Sequence, residues 1–253
     1  MSFVSLLVLG TGLAFQTAPT LQQASDGFRA SAPVPSPALT PELRGDIMMA
    51  RKMFREAIEY YKPGADKNAV LANKTGIAYH QLQDLQNAEK YYKLAIKLKR
   101  NYPEAINNLG TVYYATKSYR RAISQYKKAI KLAPDSASIH SNLGTAYFAR
   151  NQFDLASQEF REAMKLDPNV FEHHSTYGVM LQERSVSEKA KFHYGLAVLY
   201  AQDGRVELAL QYLRKCLEEG YKERKKLPED PAFASMRELP EFKQLMALEP
   251  RVL

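Results

Sequence analysis

From Thr40 onward the apolar residues fall three and four positions apart with charged and amide residues between them, the signature of helices that bury one face. The pattern opens cleanly: Thr40 is a residue type that caps a helix, and Pro41 suits a first helical turn. Ahead of it the chain reads differently. Phe3 to Phe15 is a mostly apolar run with no charge, and 19–39 is rich in Ala, Ser and Pro, with Pro33, Pro35 and Pro37 alternating. Such a composition buries too little apolar surface to offset chain entropy. The expected organisation is a hydrophobic N-terminal segment over 1–18, an extended linker over 19–39, a helical array over 40–223 and a non-repeating end over 224–253.

Inside the array the pattern itself repeats. Leu109, Gly110, Tyr113, Ala122, Tyr126, Ala129 and Pro134 return 34 residues later as Leu143, Gly144, Tyr147, Ala156, Phe160, Ala163 and Pro168. In the other direction Gly76, Tyr79, Ala88, Tyr92 and Ala95 match, with Arg100 where the proline should stand. The clearest units are 69–102, 103–136 and 137–170. Weaker copies flank them: Gly45, Met48, Ala57 and Tyr61 before, and Ala197, Tyr200, Ala209, Leu213 and Cys216 after, for about five to six units in all. After Pro168 two registers compete, 171–204 marked by Gly178 and 190–223 marked by Tyr200 and Ala209, and helices are expected near 171–184, 187–203 and 206–219.

This pattern resembles the tetratricopeptide repeat, a helix-turn-helix unit in which small residues let two antiparallel helices approach, aromatic rings fill the space beside them and proline ends the second helix. The resemblance implies an all-α, right-handed superhelical solenoid whose units bury their apolar faces only by stacking. It also gives the end a purpose: Asp230-Pro231-x-Phe233 and Pro240-x-Phe242 look like a closing segment that lays Phe233, Met236, Phe242 and Leu245 over the last exposed face as a cap.

Charge and chemistry narrow the function. The net charge of +8 is concentrated between Lys90 and Lys131, where eleven basic residues meet one acidic residue, Glu104. The apolar run at the N-terminus has the length of a secretory signal core and is too short for a membrane span, so export to the periplasm or cell envelope is expected, with a cytoplasmic location if the segment is not a signal. Cys216 is the only cysteine, which excludes a disulfide within the chain. The sequence has no glycine-rich phosphate loop, nucleophile elbow or His-Glu-x-x-His motif. His173 and His174 are neighbours that point about 100° apart on a helix and make a poor metal pair, with or without His193. No catalysis, metal or cofactor is therefore expected.

For binding, the resemblance implies that the first helix of each unit lines a groove for a partner peptide or domain. Carried onto this chain, the groove positions are Asn73, Lys74 and His80 in one unit, Asn107, Asn108, Thr111 and Tyr114 in the next, and Asn142, Thr145 and Phe148 in the third. Asn suits such a place because its amide both donates and accepts, so it can pair with a peptide backbone of any sequence; Tyr114 and Phe148 are expected to add apolar area. The family's carboxylate clamp for chaperone tails is not expected, because the positions three before and one after the glycine hold Asn73/Ile77, Asn107/Thr111 and Ser141/Thr145. An alternative function rests on the second helices. Lys90, Lys93, Lys97, Arg120, Lys127, Lys128 and Lys131 are expected on their outward, convex face, where they would meet an anionic membrane or nucleic acid. Nucleic acid is the less expected of these, since Tyr92 and Tyr126 sit at core positions rather than beside the lysines.

Overall fold

The computed structural model describes residues 39–171 and 186–248. The segment 1–18, the linker 19–39 except its last residue, Gly178, the histidine pair 173–174 and nearly all of the helix expected at 171–184 lie outside the described residues.

Every regular element among the described residues is helical. Five hairpins follow one another: α1 (Pro41–Ala50) with α2 (Phe54–Tyr61), α3 (Ala69–Gln81) with α4 (Leu85–Leu98), α5 (Pro103–Ala115) with α6 (Tyr119–Leu132), α7 (Ala137–Phe148) with α8 (Phe153–Leu166), and α9 (Val186–Gln202) with α10 (Val206–Glu218). Among the first four, α2 packs on α3, α4 on α5 and α6 on α7, so the units form an all-α solenoid. No described helix is long and apolar enough to cross a membrane. Local chemistry sets the starts: the Thr40 hydroxyl accepts from Leu43 N–H at 3.2 Å, the Asn68 side chain from Val70 N–H at 2.8 Å, and Pro103 opens α5.

Each of the first four hairpins is held by a glycine of the first helix lying against a ring of the second. A Cβ on Gly110 would stand 2.6 Å from the Tyr126 ring, one on Gly76 2.7 Å from Tyr92 and one on Gly144 2.6 Å from Phe160; Gly45 meets Tyr61 in the same way. Glycine is required because the ring occupies the space a side chain would take. The turn between the two helices is equally regular. Seven residues after each marker glycine the backbone enters the left-handed region, at Lys52, Gln83, Lys117 and Asn151. The next residue donates back across the turn, as Ser118 N–H does to the Tyr113 carbonyl at 2.7 Å, satisfying a carbonyl at the helix end. In the last hairpin that conformation falls on Gly204, with Arg205 N–H reaching the Tyr200 carbonyl at 2.8 Å. Counting back seven residues places Ala197 at the marker, so α9 and α10 occupy the 190–223 register.

Phe148, Phe160, Phe171 and Phe192 join α9 to the preceding unit through edge-to-face contacts, with ring centroids 5.3 Å apart for Phe160–Phe171 and 5.6 Å for Phe148–Phe192. At the far end two 3-10 turns, Arg224–Glu229 and Pro231–Met236, lead into α11 (Pro240–Ala247). Phe233, Met236, Phe242 and Leu245 are all buried there. The cap is pinned by Tyr194, which stacks on Tyr221 at 4.8 Å and donates its hydroxyl to Asp230 at 2.6 Å. Cys216 is buried in this region, and burial pushes its thiol up to about 12, far from thiolate chemistry.

Candidate ligand cleft on the first helices

The first helices α3, α5 and α7 share one polar face because residues three and four apart on a helix stack in a stripe. Along it lies a cleft of about 430 Å³. Of the ten groove positions expected from the sequence, Asn73, His80, Asn107, Asn108, Thr111 and Asn142 line it, and Lys74, Tyr114, Thr145 and Phe148 do not.

The asparagines are paired with one another across units. Asn108 Nδ2 donates to Asn73 Oδ1 at 3.1 Å and Asn142 Nδ2 donates to Asn107 Oδ1 at 2.9 Å. Each pair joins the position three before one marker glycine to the position two before the next. The same rule holds one unit earlier with charged groups, where Lys74 Nζ lies 2.7 Å from Glu42 and 2.8 Å from Asp46. Burial opposes ionisation of Asp46, but hydrogen bonds from Lys74 and Tyr61 outweigh it and hold the carboxyl below its usual range. These side chains staple consecutive first helices, and Lys74 is committed to α1. Neutral staples of this kind contribute about 0.5–1.5 kcal/mol each.

Stapling leaves the amides with capacity. Asn73 and Asn142 are buried, whereas Asn107 and Asn108 are half-exposed; Asn108 and Asn142 each keep a second N–H beyond the one they donate, while Asn73 and Asn107 accept through Oδ1 and keep their amide nitrogens out of the staple. Thr111 donates to the Asn107 carbonyl at 3.2 Å and accepts from the buried Tyr126 hydroxyl at 3.4 Å, so it backs the cleft. His80 packs edge-on to Tyr92 at 6.4 Å, and burial lowers its pKa, which keeps the ring neutral. Ile77, Gln81, Glu104, Ser136, Ser138 and Ile139 complete the lining with others. Glu104 is the only lining residue with a formal charge. These residues were missed by reading only the positions around the glycine; extending the stripe of Asn107, Asn108 and Thr111 back by one turn reaches Glu104, and Ser138 is its equivalent 34 residues on.

Tyr114 and Phe148 are used elsewhere. Tyr114 is buried and lies 5.2 Å from Tyr119, and Phe148 is half-buried 5.3 Å from Phe153. Both are ring pairs that close the turn inside a unit, which draws them away from the cleft. Thr145 is also buried.

The seven cations expected on the second helices are all exposed, Lys90, Lys93 and Lys97 on α4 and Arg120, Lys127, Lys128 and Lys131 on α6. Lys93 pairs with Glu89 at 2.7 Å, Lys90 lies over the Tyr91 ring at 5.9 Å and Lys127 over Tyr147 at 5.6 Å. His193 is bound to Glu219 at 2.6 Å, and no group of three or more His, Cys, Asp or Glu among the described residues has metal-site geometry.

Four tetratricopeptide-repeat family models match the chain, over residues 73–102, 110–149, 137–170 and 181–221. Similar solved structures include a crystal structure of MamA (22% identity over 72% of this chain and 96% of that one, TM-score 0.48) and MamA from Desulfovibrio magneticus RS-1 (23% identity, 72% and 93%, TM-score 0.49). The second such domain of human RPAP3, in complex with an HSP70 peptide, is 24% identical over 42% of this chain and 92% of its own, with a TM-score of 0.41. No curated protein matches the sequence.

Proposed function

From the premise that this chain is a tetratricopeptide-repeat protein, we propose that it is a non-catalytic interaction scaffold that holds an extended, uncharged stretch of a partner protein across α3, α5 and α7. One observation carries this: the cleft spans three units and is floored by amides whose orientation is fixed by pairing with one another. Fixed donors lose little freedom when a peptide backbone replaces water, which is the advantage of preorganisation. Ile77 and Ile139 offer apolar contact beside them. With Glu104 the sole lining charge, the cleft suits neutral residues or a single cation and does not suit a C-terminal carboxylate.

Selection of a displayed random-peptide library on the protein tests this. Selected peptides should be poor in Asp and Glu, and Asn107→Ala with Asn108→Ala should weaken them about tenfold, two hydrogen bonds of ordinary strength. Equal binding by the double variant, with its fold intact by circular dichroism, would overturn the assignment.

A second surface is favoured by a separate observation: every charged side chain on α6 is positive. We infer that the outer faces of α4 and α6 contact an anionic partner. Retention of the protein on an anionic matrix, lost in Lys97→Glu with Lys128→Glu, is the expected result; unchanged retention would contradict it.

A further inference from the structure

We propose that this basic face docks on an anionic phospholipid bilayer, through the exposed ends of α4 and α6, where Lys97 and Arg100 stand in the chain beside Leu98, and Lys128 and Lys131 beside Leu132. The inference rests on α4 and α6 being a contact surface and goes further by naming what is contacted.

The next unit serves as an internal control. The second helix α8 holds the same place in the solenoid and carries mixed charge, Asp154, Glu159 and Glu162 against Arg161 and Lys165. The repeat therefore does not require a single sign. On α6 it creates like-charge neighbours one turn apart, such as Lys127 and Lys131, which work against the helix. Helix-end dipoles account for Lys97 and Lys131 in the last turns, but Arg100 lies beyond α4 and Lys128 precedes the last turn of α6. Glu89 takes up Lys93 and, at 3.7 Å, Arg121; no ion pair to Lys97, Arg100, Lys128 or Lys131 exists among the described residues.

The apolar component separates a bilayer from nucleic acid. Leu98 and Leu132 recur at the same repeat position, each directly after a lysine, and are each 40% exposed. Cations with aliphatic side chains between them suit the boundary of headgroups and acyl chains. A single-stranded nucleic acid would call for exposed rings to stack on, yet Tyr91, Tyr92, Tyr102 and Tyr126 are all buried.

Co-sedimentation of the full chain with vesicles tests the proposal. Vesicles of phosphatidylcholine mixed with phosphatidylglycerol should bind it, and pure phosphatidylcholine should not. Lys97→Glu, Lys128→Glu and Lys131→Glu together should weaken binding at least about 100-fold, since each cation near an anionic surface accounts for roughly fivefold. Leu98→Ser with Leu132→Ser should weaken vesicle binding while leaving retention on an anionic matrix unchanged. Equal binding to both vesicle types, or binding that survives the charge reversal in a folded variant, would overturn it. Tighter binding to duplex DNA or polyglutamate than to vesicles would overturn the bilayer assignment while leaving the contact surface in place, and failure to bind any polyanion would remove both.

Discussion

The central units and the last hairpin use the same repeat positions for different contacts. In the central units the residues three and two before the marker are Asn73 and Lys74, Asn107 and Asn108, and Ser141 and Asn142, polar positions of which the four asparagines line the cleft. In the last hairpin those positions are Tyr194 and Gly195: the tyrosine holds Asp230 of the cap, and the glycine faces Phe148 of the preceding unit. A polar face shared between neighbouring units in the centre has become surface packed on the cap and the preceding unit at the end, which a stack needs if its last apolar face is to leave water. The helix-to-helix lock changes as well. A central glycine meets a ring sixteen positions on, as Gly110 meets Tyr126, whereas Ala197 has Leu213 at that offset, a methyl added on one side and volume removed on the other.

The largest test of this comparison exchanges the locks. Gly110→Ala sets a methyl 2.6 Å from the fully buried Tyr126 ring and should cost about 2–3 kcal/mol of stability in chemical denaturation. Adding Tyr126→Leu copies the last hairpin's pair and should recover at least half of that loss; a double variant no better than the sum of the singles would show that the two locks are not equivalent. Next in size, Tyr194→Phe removes the bond to Asp230 and should cost about 1 kcal/mol, with faster hydrogen exchange confined to residues after Glu229. Turn chemistry should then give effects of opposite sign in the two regions. Lys117→Gly relieves a left-handed non-glycine residue and should gain about 0.5–1 kcal/mol, while Gly204→Ala should lose about as much.

The smallest effect is one of pH. Burial lowers the His80 pKa, so the unfolded chain binds a proton more readily than the folded one. Its contribution is therefore fully present above the unfolded value of about 6.5 and is lost as pH falls through the lower folded value. His80→Gln should flatten that part of the stability profile, and an unchanged slope would assign it to other groups.

The repeat and its packing markers were legible in the sequence because each follows from a period of 34 and a short helical spacing, and the cap residues because Asp230-Pro231-x-Phe233 and Pro240-x-Phe242 resemble a closing segment. The staples were not, since Asn73 and Asn108 meet only when two helices from different units lie side by side, a contact no single-helix periodicity encodes. Tyr114 and Phe148, expected at the groove, do not line the cleft for a local reason: a ring five positions on, across the turn, gives each a partner inside its own unit. Most left-handed turn residues were hidden by their identity, because Lys52, Gln83 and Lys117 do not announce a positive φ as Gly204 does.

The most direct measurement is a titration of a selected peptide into the protein, read by calorimetry at low and at high salt. A cleft floored by neutral amides predicts an affinity nearly independent of salt and lowered about tenfold by Asn107→Ala with Asn108→Ala. A steep loss of affinity with salt, or full affinity in the double variant, would contradict the placement of the ligand on the first-helix face.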